Sequence, residues 1–591
     1  TTAARLAGKS SDTKTATNIP VNLTFSVESI DMTAYGNGFR GIGCSYGENK
    51  VIWNTNCSIP KVYRRNLLIQ SINTDRTEDT VITLNMNQND YYTEYSSGTW
   101  RNQGAGLFVD FHFTDGCEVK HLKISGNVKL GLFNKDSALT YVTKRTDPDM
   151  HTGVGGFAAR TANSSGTVTF DQFNLENINV YGGTMTGGAI GYIDGYSKAR
   201  RNVSFSNWTI QNEKVTKWVY NDGSTGGLVG WNIGYGTLSI TGNEDSSVKD
   251  VDQLSVTTHA ESFYTAAAGG LVGANDYSSV KVENVNAQNL SVSGKNLRDL
   301  GGLLAAGRNG SGTLEVKKCS LASMKITLEI NSSQKTSSAC AGGIIGFHER
   351  PLTISEVMIV SDSSINGQQF TGGFVGYSAV DVTIRDCREE NINIKTDMNW
   401  IGGFIGYVNP NRTATFQNCQ EENVNILGRY TGGLVGAMDG SIKASNIEFF
   451  NVIGVTYNDK GYAALLVGNT ENNDRNKYSN KVSGYNLLAK NCKFGYNNKA
   501  KVDELSTANI QPIDTSGFWI GKVGVNGKVN LVAVALQGNV SPQKDIGTNN
   551  GSATIIYADA SVDQTYQPTD TTATSVSADP WLDVNPKSDV P

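Results

Sequence analysis

Residues 401–410 read IGGFIGYVNP, residues 371–380 read TGGFVGYSAV and residues 431–440 read TGGLVGAMDG. The same core recurs as Gly155-Gly156-Phe157, Gly187-Gly188-Ala189-Ile190-Gly191, Gly226-Gly227-Leu228-Val229-Gly230, Gly269-Gly270-Leu271-Val272-Gly273, Gly301-Gly302-Leu303-Leu304 and Gly342-Gly343-Ile344-Ile345-Gly346. Intervals run from 30 to 43 residues, and degenerate copies stand at GAGLFVDF around Gly106 and GYAALLVG ending at Gly468. A motif repeated at such intervals marks units that cannot bury an apolar face alone and must stack on their own kind.

Between motifs runs a second pattern. Taking Cys387 as position zero, apolar residues stand five and three before it (Val382, Ile384) and five and seven after it (Ile392, Ile394). Cys419 has Ala414, Phe416, Val424 and Ile426; Cys319 has Leu314, Val316, Met324 and Ile326. Val285 and Phe173 repeat the arrangement, and Cys117, followed by Leu122 and Ile124, fits it. The pattern fails in part at Trp208, where Glu213 takes the fifth following position, and around Val357. Spacing by two is the strand period, so each unit holds two short strands and the glycine motif supplies a third. A sustained helical period is absent, and paired glycines would weaken helices by ~1 kcal/mol each.

The expected fold is therefore all-β: a parallel β-solenoid, or β-helix, of about ten to twelve coils, roughly three short strands per coil, behind an N-terminal cap. Residues 1–34 read as a linker, 35–103 as the cap and first strands, 104–470 as the solenoid, 471–560 as further coils or a closing cap, and 561–591 as a tail. Glycine recurs where coils approach or turn as no other residue allows.

Composition narrows the partners. The chain has 591 residues, a formal net charge of −5 and no run of Lys and Arg, which argues against nucleic acid and anionic membrane. No stretch of ~18 apolar residues is present, so no membrane insertion is expected.

Little in the sequence forms a catalytic or metal constellation, and no cofactor is expected. A slot that accepts Phe, Val, Ile and Cys alike is a core position, where Cys acts as a small hydrophobe. Cys44 and Cys57 offer one disulfide at most. The histidines His112, His121, His151, His259 and His348 are scattered, and TDPDMHTG, with Asp147, Asp149 and His151, reads as a polar loop. NTD at Asn73 to Asp75 matches one element of the polygalacturonase signature without its companions. REEN (Glu389, Glu390) and QEEN (Glu421, Glu422) are expected to stack into an acidic stripe, read as a solvated edge with a Ca²⁺ or substrate-amine site as the alternative. The residue closing each motif forms an aromatic row, Tyr192, Trp231, Phe347, Tyr377 and Tyr407, interrupted by Ala274 and Ala437. Pointing outward, this row would offer a ring platform to a sugar or protein; pointing inward, it would be packing. It is the candidate binding site.

The consensus G-G-[LFI]-[VI]-G, followed by a turn and strands, resembles the GLUG motif of repeat regions in bacterial surface proteins, including adhesins and non-catalytic parts of some immunoglobulin A peptidases. The resemblance covers roughly residues 104 to 470. The segment IDMTAYGNGFRGIG, Ile30 to Gly43, is similar to the start of such regions in large exported proteins of gut bacteria. The resemblance implies an extracellular, cell-surface or secreted, non-catalytic binding protein, taken as a monomer. Its partner would be a host glycan or a host extracellular protein such as mucin or immunoglobulin. A carbohydrate-active β-helix enzyme (polysaccharide lyase or glycoside hydrolase) and a purely structural stalk are the alternatives. Long intervals, 191–226, 230–269 and 307–342, are where a binding face is expected.

Overall fold

Period-two alternation writes extended strands, and the repeat interval decides what they pair with. The computed structural model describes residues 19–33, 67–88, 104–130 and 153–557, less 162–165, 183–184, 194–199, 220–222, 332–337, 397, 451, 457–461, 471–484, 496–510, 513–518, 524–526, 538–545 and 550–551. No α-helix occurs among the described residues, and strands of successive repeats pair in parallel, residue on equivalent residue, in the layering of a β-solenoid. Val382 lies on Ala414 and Ile384 on Phe416; Cys419 lies on Ile447 and Ile447 on Cys492. The chain forms two compact units, residues 1–315 with 327–336, and 316–326 with 337–591.

The zero positions form the interior in each unit. In the second unit Cys319, Val357, Cys387, Cys419, Ile447 and Cys492 are all buried to 2% exposure or less. In the first, Leu122 pairs with Phe173, and Trp208, one coil further, is equally buried. Cys117 is a correction: it pairs with Val168, five positions ahead of Phe173, so Leu122 holds the zero position of that coil. Around Val357 the pattern slips because Ser361 and Asp362 are both left-handed, at φ 57° and 54°. That is one residue more than the other corners carry, and the register is restored at Ser363 on Ile392.

Corners are marked by residues just before zero and four after it. Asp386 and Asn391, Asn418 and Asn423, Asn207 and Asn212, and Asn284 and Asn289 all have φ between 49° and 60°. Asparagine tolerates this conformation better than other side chains. Its amide also bonds along the stack: Asn418 Nδ2 donates to Asp386 Oδ1 at 2.9 Å, and Asn446 Nδ2 to Asn418 Oδ1 at 2.9 Å.

The glycine motif is a tight arch of two strands, such as Trp400–Gly402 and Ile405–Val408. Its last glycine allows the two strands to lie against each other with no side chain between. A Cβ on Gly406 would stand 2.6 Å from Gly376 O and 2.6 Å from Thr371 N. Its second glycine faces the interior and is the floor for one side chain from across the coil. A Cβ on Gly156 would meet Ile178 Cδ1 at 2.7 Å, one on Gly227 would meet Leu254 Cδ2 at 2.6 Å, and one on Gly433 would meet Phe449 Cε1 at 2.8 Å.

The coils extend beyond the bounds expected for them. Ile19–Phe25 pairs in parallel with Leu67–Thr74, and Ser29–Asp31 with Thr80–Gln88, so part of the segment read as linker is strand. Its alternation of half-buried Val21, Leu23 and Phe25 with exposed neighbours is the strand period on a short segment. At the other end Tyr485–Gly495, Gly527–Gln537 and Ser552–Tyr557 continue the parallel stacking, with one antiparallel contact at Gln511–Pro512. The possible disulfide cysteines Cys44 and Cys57, and the loop with Asp147, Asp149 and His151, lie outside the described residues.

Candidate functional site

The motif-closing residues stack in register: Phe347 on Tyr377, Tyr377 on Tyr407, Tyr407 on Ala437. Ring centroids are 5.5 Å apart for the first pair and 5.2 Å for the second. Tyr192 and Tyr407 are buried, each 1% exposed, whereas Trp231, Phe347 and Tyr377 are half-buried. The row is thus neither wholly inside nor wholly outside.

A second ladder, unread in the sequence, backs it. Cys340, Phe370, Trp400, Tyr430 and Tyr462, each two residues before a motif glycine or its equivalent, pair coil on coil. Phe370 and Trp400 stack at 5.0 Å and 11°, and Phe370 meets Tyr377 edge-on at 4.7 Å. The strings FTGG, WIGG and YTGG carry the signal. Tyr430 and Tyr462 are half-buried and stacked at 6.1 Å, with Arg429 4.9 Å above the Tyr430 ring, a cation–π contact.

A common rule disposes of the polar tips. Tyr377 Oη donates to Asn409 Oδ1 at 2.8 Å, Tyr407 Oη to Asp439 Oδ2 at 2.5 Å, and Trp231 Nε1 to Asp276 Oδ2 at 2.7 Å. In each case the acceptor lies two residues past the motif-closing position of the next coil, so the ring is held at both ends. Beside Asp276, Tyr277 is 37% exposed and stacks on half-buried Tyr235 at 5.1 Å and 19°. Its backbone sits at φ 67°, an uncommon conformation for a bulky side chain. In the first unit this pair and Trp231 form the aromatic ledge; in the second, Phe347 and Tyr377 do.

The acidic stripe expected at REEN and QEEN is divided by strand alternation. Glu389 lies on Glu421 and both are fully buried, while Glu390 and Glu422 are half-buried on the outer face. Arg388 joins the outer two, at 2.9 Å from Glu390 and 2.6 Å from Glu422. The expectation failed because the left-handed corner at Asp386 sets which of two adjacent glutamates points inward. Burial holds both inner carboxyls well above the ordinary glutamate range, and Glu421 is raised further by Glu389 beside it. Glu213, the residue that broke the pattern at Trp208, is likewise buried and raised by burial.

Chemistry elsewhere is muted. Burial pushes the Cys387 and Cys492 thiols up to about 12, which removes the thiolate that a nucleophile needs. His348 is buried, its Nδ1 2.9 Å from Arg350 O, and burial lowers it to about 4. Among the described residues no group of three or more His, Cys, Asp or Glu gathers to hold a metal. Of the two stacked carboxyl pairs, Glu389 with Glu421 faces the interior, and Glu390 with Glu422 on the outer face is held by Arg388. Asn73 and Asp75 stand where the strand Leu67–Thr74 ends. Compared with known protein families, curated proteins and solved structures, the chain matches none.

Proposed function

We propose that the chain is a non-catalytic, adhesin-like binding protein of the bacterial surface or medium, presenting one solenoid face to a host glycan or glycoprotein such as mucin or immunoglobulin. In this reading it belongs with GLUG-motif repeat proteins, carries about ten to twelve motif-bearing coils behind an N-terminal cap, and acts as a monomer. The observation that supports it is a partly exposed group of aromatic rings within each unit: Trp231, Tyr235 and Tyr277 in the first, and separately Phe347 and Tyr377 in the second. Each ring is held by stacking or by a fixed hydrogen bond, so little side-chain entropy is lost when a ligand lies on it. Sugar rings and amphipathic protein surfaces both suit such rings.

The test is an array of host glycans, mucins and serum proteins probed with the purified chain, followed by Tyr277→Ala and Tyr377→Ala. Binding that falls at least tenfold in one variant while the melting temperature moves by only a few degrees supports the proposal. A chain that binds nothing across the panel overturns it.

A further inference from the structure

Three glutamates are buried with neither carboxyl oxygen bonded: Glu213, Glu389 and Glu421. They do not sit at random. Each takes the place of the side chain that stands on the second motif glycine: Glu213 between Ile178 and Leu254 in the first unit, Glu389 and Glu421 between Ile359 and Phe449 in the second. A Cβ on Gly188 would lie 2.7 Å from Glu213 Cδ, and one on Gly373 2.6 Å from Glu389 Cδ. For Gly403 the corresponding distance, to Glu421 Cδ, is 2.7 Å. At each of these points a main-chain carbonyl oxygen of the next coil crowds the same spot: Gly227 O, Gly403 O and Gly433 O, respectively.

A carboxylate facing a carbonyl oxygen in a dry interior sets lone pair against lone pair, with the full cost of an unpaired buried charge. A carboxylic acid in the same place is a donor facing an acceptor. We propose that Glu213, Glu389 and Glu421 keep their carboxyl protons in the folded chain and donate them to the carbonyls of Gly227, Gly403 and Gly433, closing the glycine arch of those coils with a proton.

Among the described residues no hydrogen-bond partner meets any of these carboxyl oxygens, and the other buried charge on the strand of Glu213, Lys217, stands four residues along it. Glu389 and Glu421 face each other, with the Cys387 thiol close enough to feel Glu389; Arg388, Glu390 and Glu422 lie on the outer face of the same strands. Glu213 lies between Ile178 and Leu254, and burial alone accounts for its shift. A carboxyl that holds its proton more tightly folded than unfolded adds stability that is complete below the ordinary glutamate range. That stability is lost as pH climbs toward the folded value. Each such group raises the unfolding constant about tenfold per pH unit across that window, and the Glu389–Glu421 pair up to about a hundredfold.

The experiment is denaturant unfolding of the full chain between about pH 5 and about pH 9, with Glu213→Gln and the pair Glu389→Gln, Glu421→Gln. Glutamine keeps an N–H for the glycine carbonyl and cannot ionise. The expected result is wild-type stability that falls with pH and variants in which the fall is reduced by about tenfold per pH unit for each residue changed. Infrared spectra of the wild-type chain at neutral pH should show the carbonyl stretch of a buried carboxylic acid, and this part stands even if a variant does not fold. Parallel pH slopes in wild type and variants, or no acid band at neutral pH, overturn the proposal.

Discussion

Gly230 and Gly406 close the arch in the two units, and replacing either by alanine tests why the motif is written in glycine. Neither has a left-handed backbone. The reason for glycine must then be space, and the space can be measured. A Cβ on Gly230 would stand 2.5 Å from Gly191 O and 2.7 Å from Thr186 N; one on Gly406 would meet Gly376 O and Thr371 N, both at 2.6 Å. All four neighbours are main-chain atoms held in ladders on both sides, so they cannot swing away as a side-chain tip would. Overpacking costs typically ~1–3 kcal/mol, and a clash with two fixed strands falls at the upper end, ~3 kcal/mol, or more than a hundredfold in the folding equilibrium. Two controls separate space from dihedral. Gly116 has φ 74° and nothing within 4 Å of its would-be Cβ, so Gly116→Ala is expected to cost only the ~1–2 kcal/mol of a left-handed residue. Gly234, whose nearest neighbours to an added Cβ are at 3.3 and 3.4 Å on side-chain tips, is expected to accept alanine within ~0.5 kcal/mol. Urea unfolding followed by circular dichroism would rank the four variants. If Gly406→Ala unfolds at the wild-type midpoint, or Gly116→Ala costs as much as Gly230→Ala, the close-approach argument is wrong.

Two further outcomes follow from the described geometry. Tyr407→Phe removes the donor to Asp439, which is only 8% exposed, and should cost ~2 kcal/mol against ~1 kcal/mol for Tyr377→Phe, whose acceptor Asn409 is neutral and partly exposed; equal or reversed costs in urea unfolding would refute the assigned bonds. In a Cys44→Ser, Cys57→Ser background, none of Cys117, Cys319, Cys340, Cys387, Cys419 and Cys492 should react with a thiol reagent before denaturant is added. Fast labelling of any of the six in the folded chain would show that its coil is open to solvent.

Much of the scaffold was legible in the letters. The apolar pairs around Cys387, Cys419 and Cys319 announced strands, and their constant offset announced that equivalent residues lie over one another. That Cys387 and Cys419 are buried and stacked follows from these two facts, because a strand unit of this size has no interior of its own. Asparagines fixed just before and four after Cys419 also held the corner positions, in plain view but without a meaning until the backbone angles gave one.

What the sequence could not decide was facing. Period two states which residues of a strand share a side, never which side is inside, and each left-handed corner resets the count. Glu389 and Glu390 are adjacent and alike in the sequence; the turn at Asp386 sends one into the core and the other to Arg388. Cys117 has the apolar pair that follows Cys387 at the same offsets, Leu122 and Ile124, yet pairing with Val168 puts it five places away from the zero position. The aromatic row is half in and half out because the arch is only two strands thick, and whether a ring is covered depends on its neighbours in the next coil. Local chemistry set the units and their stacking; only the closed path around each coil, a tertiary property, assigned inside and outside.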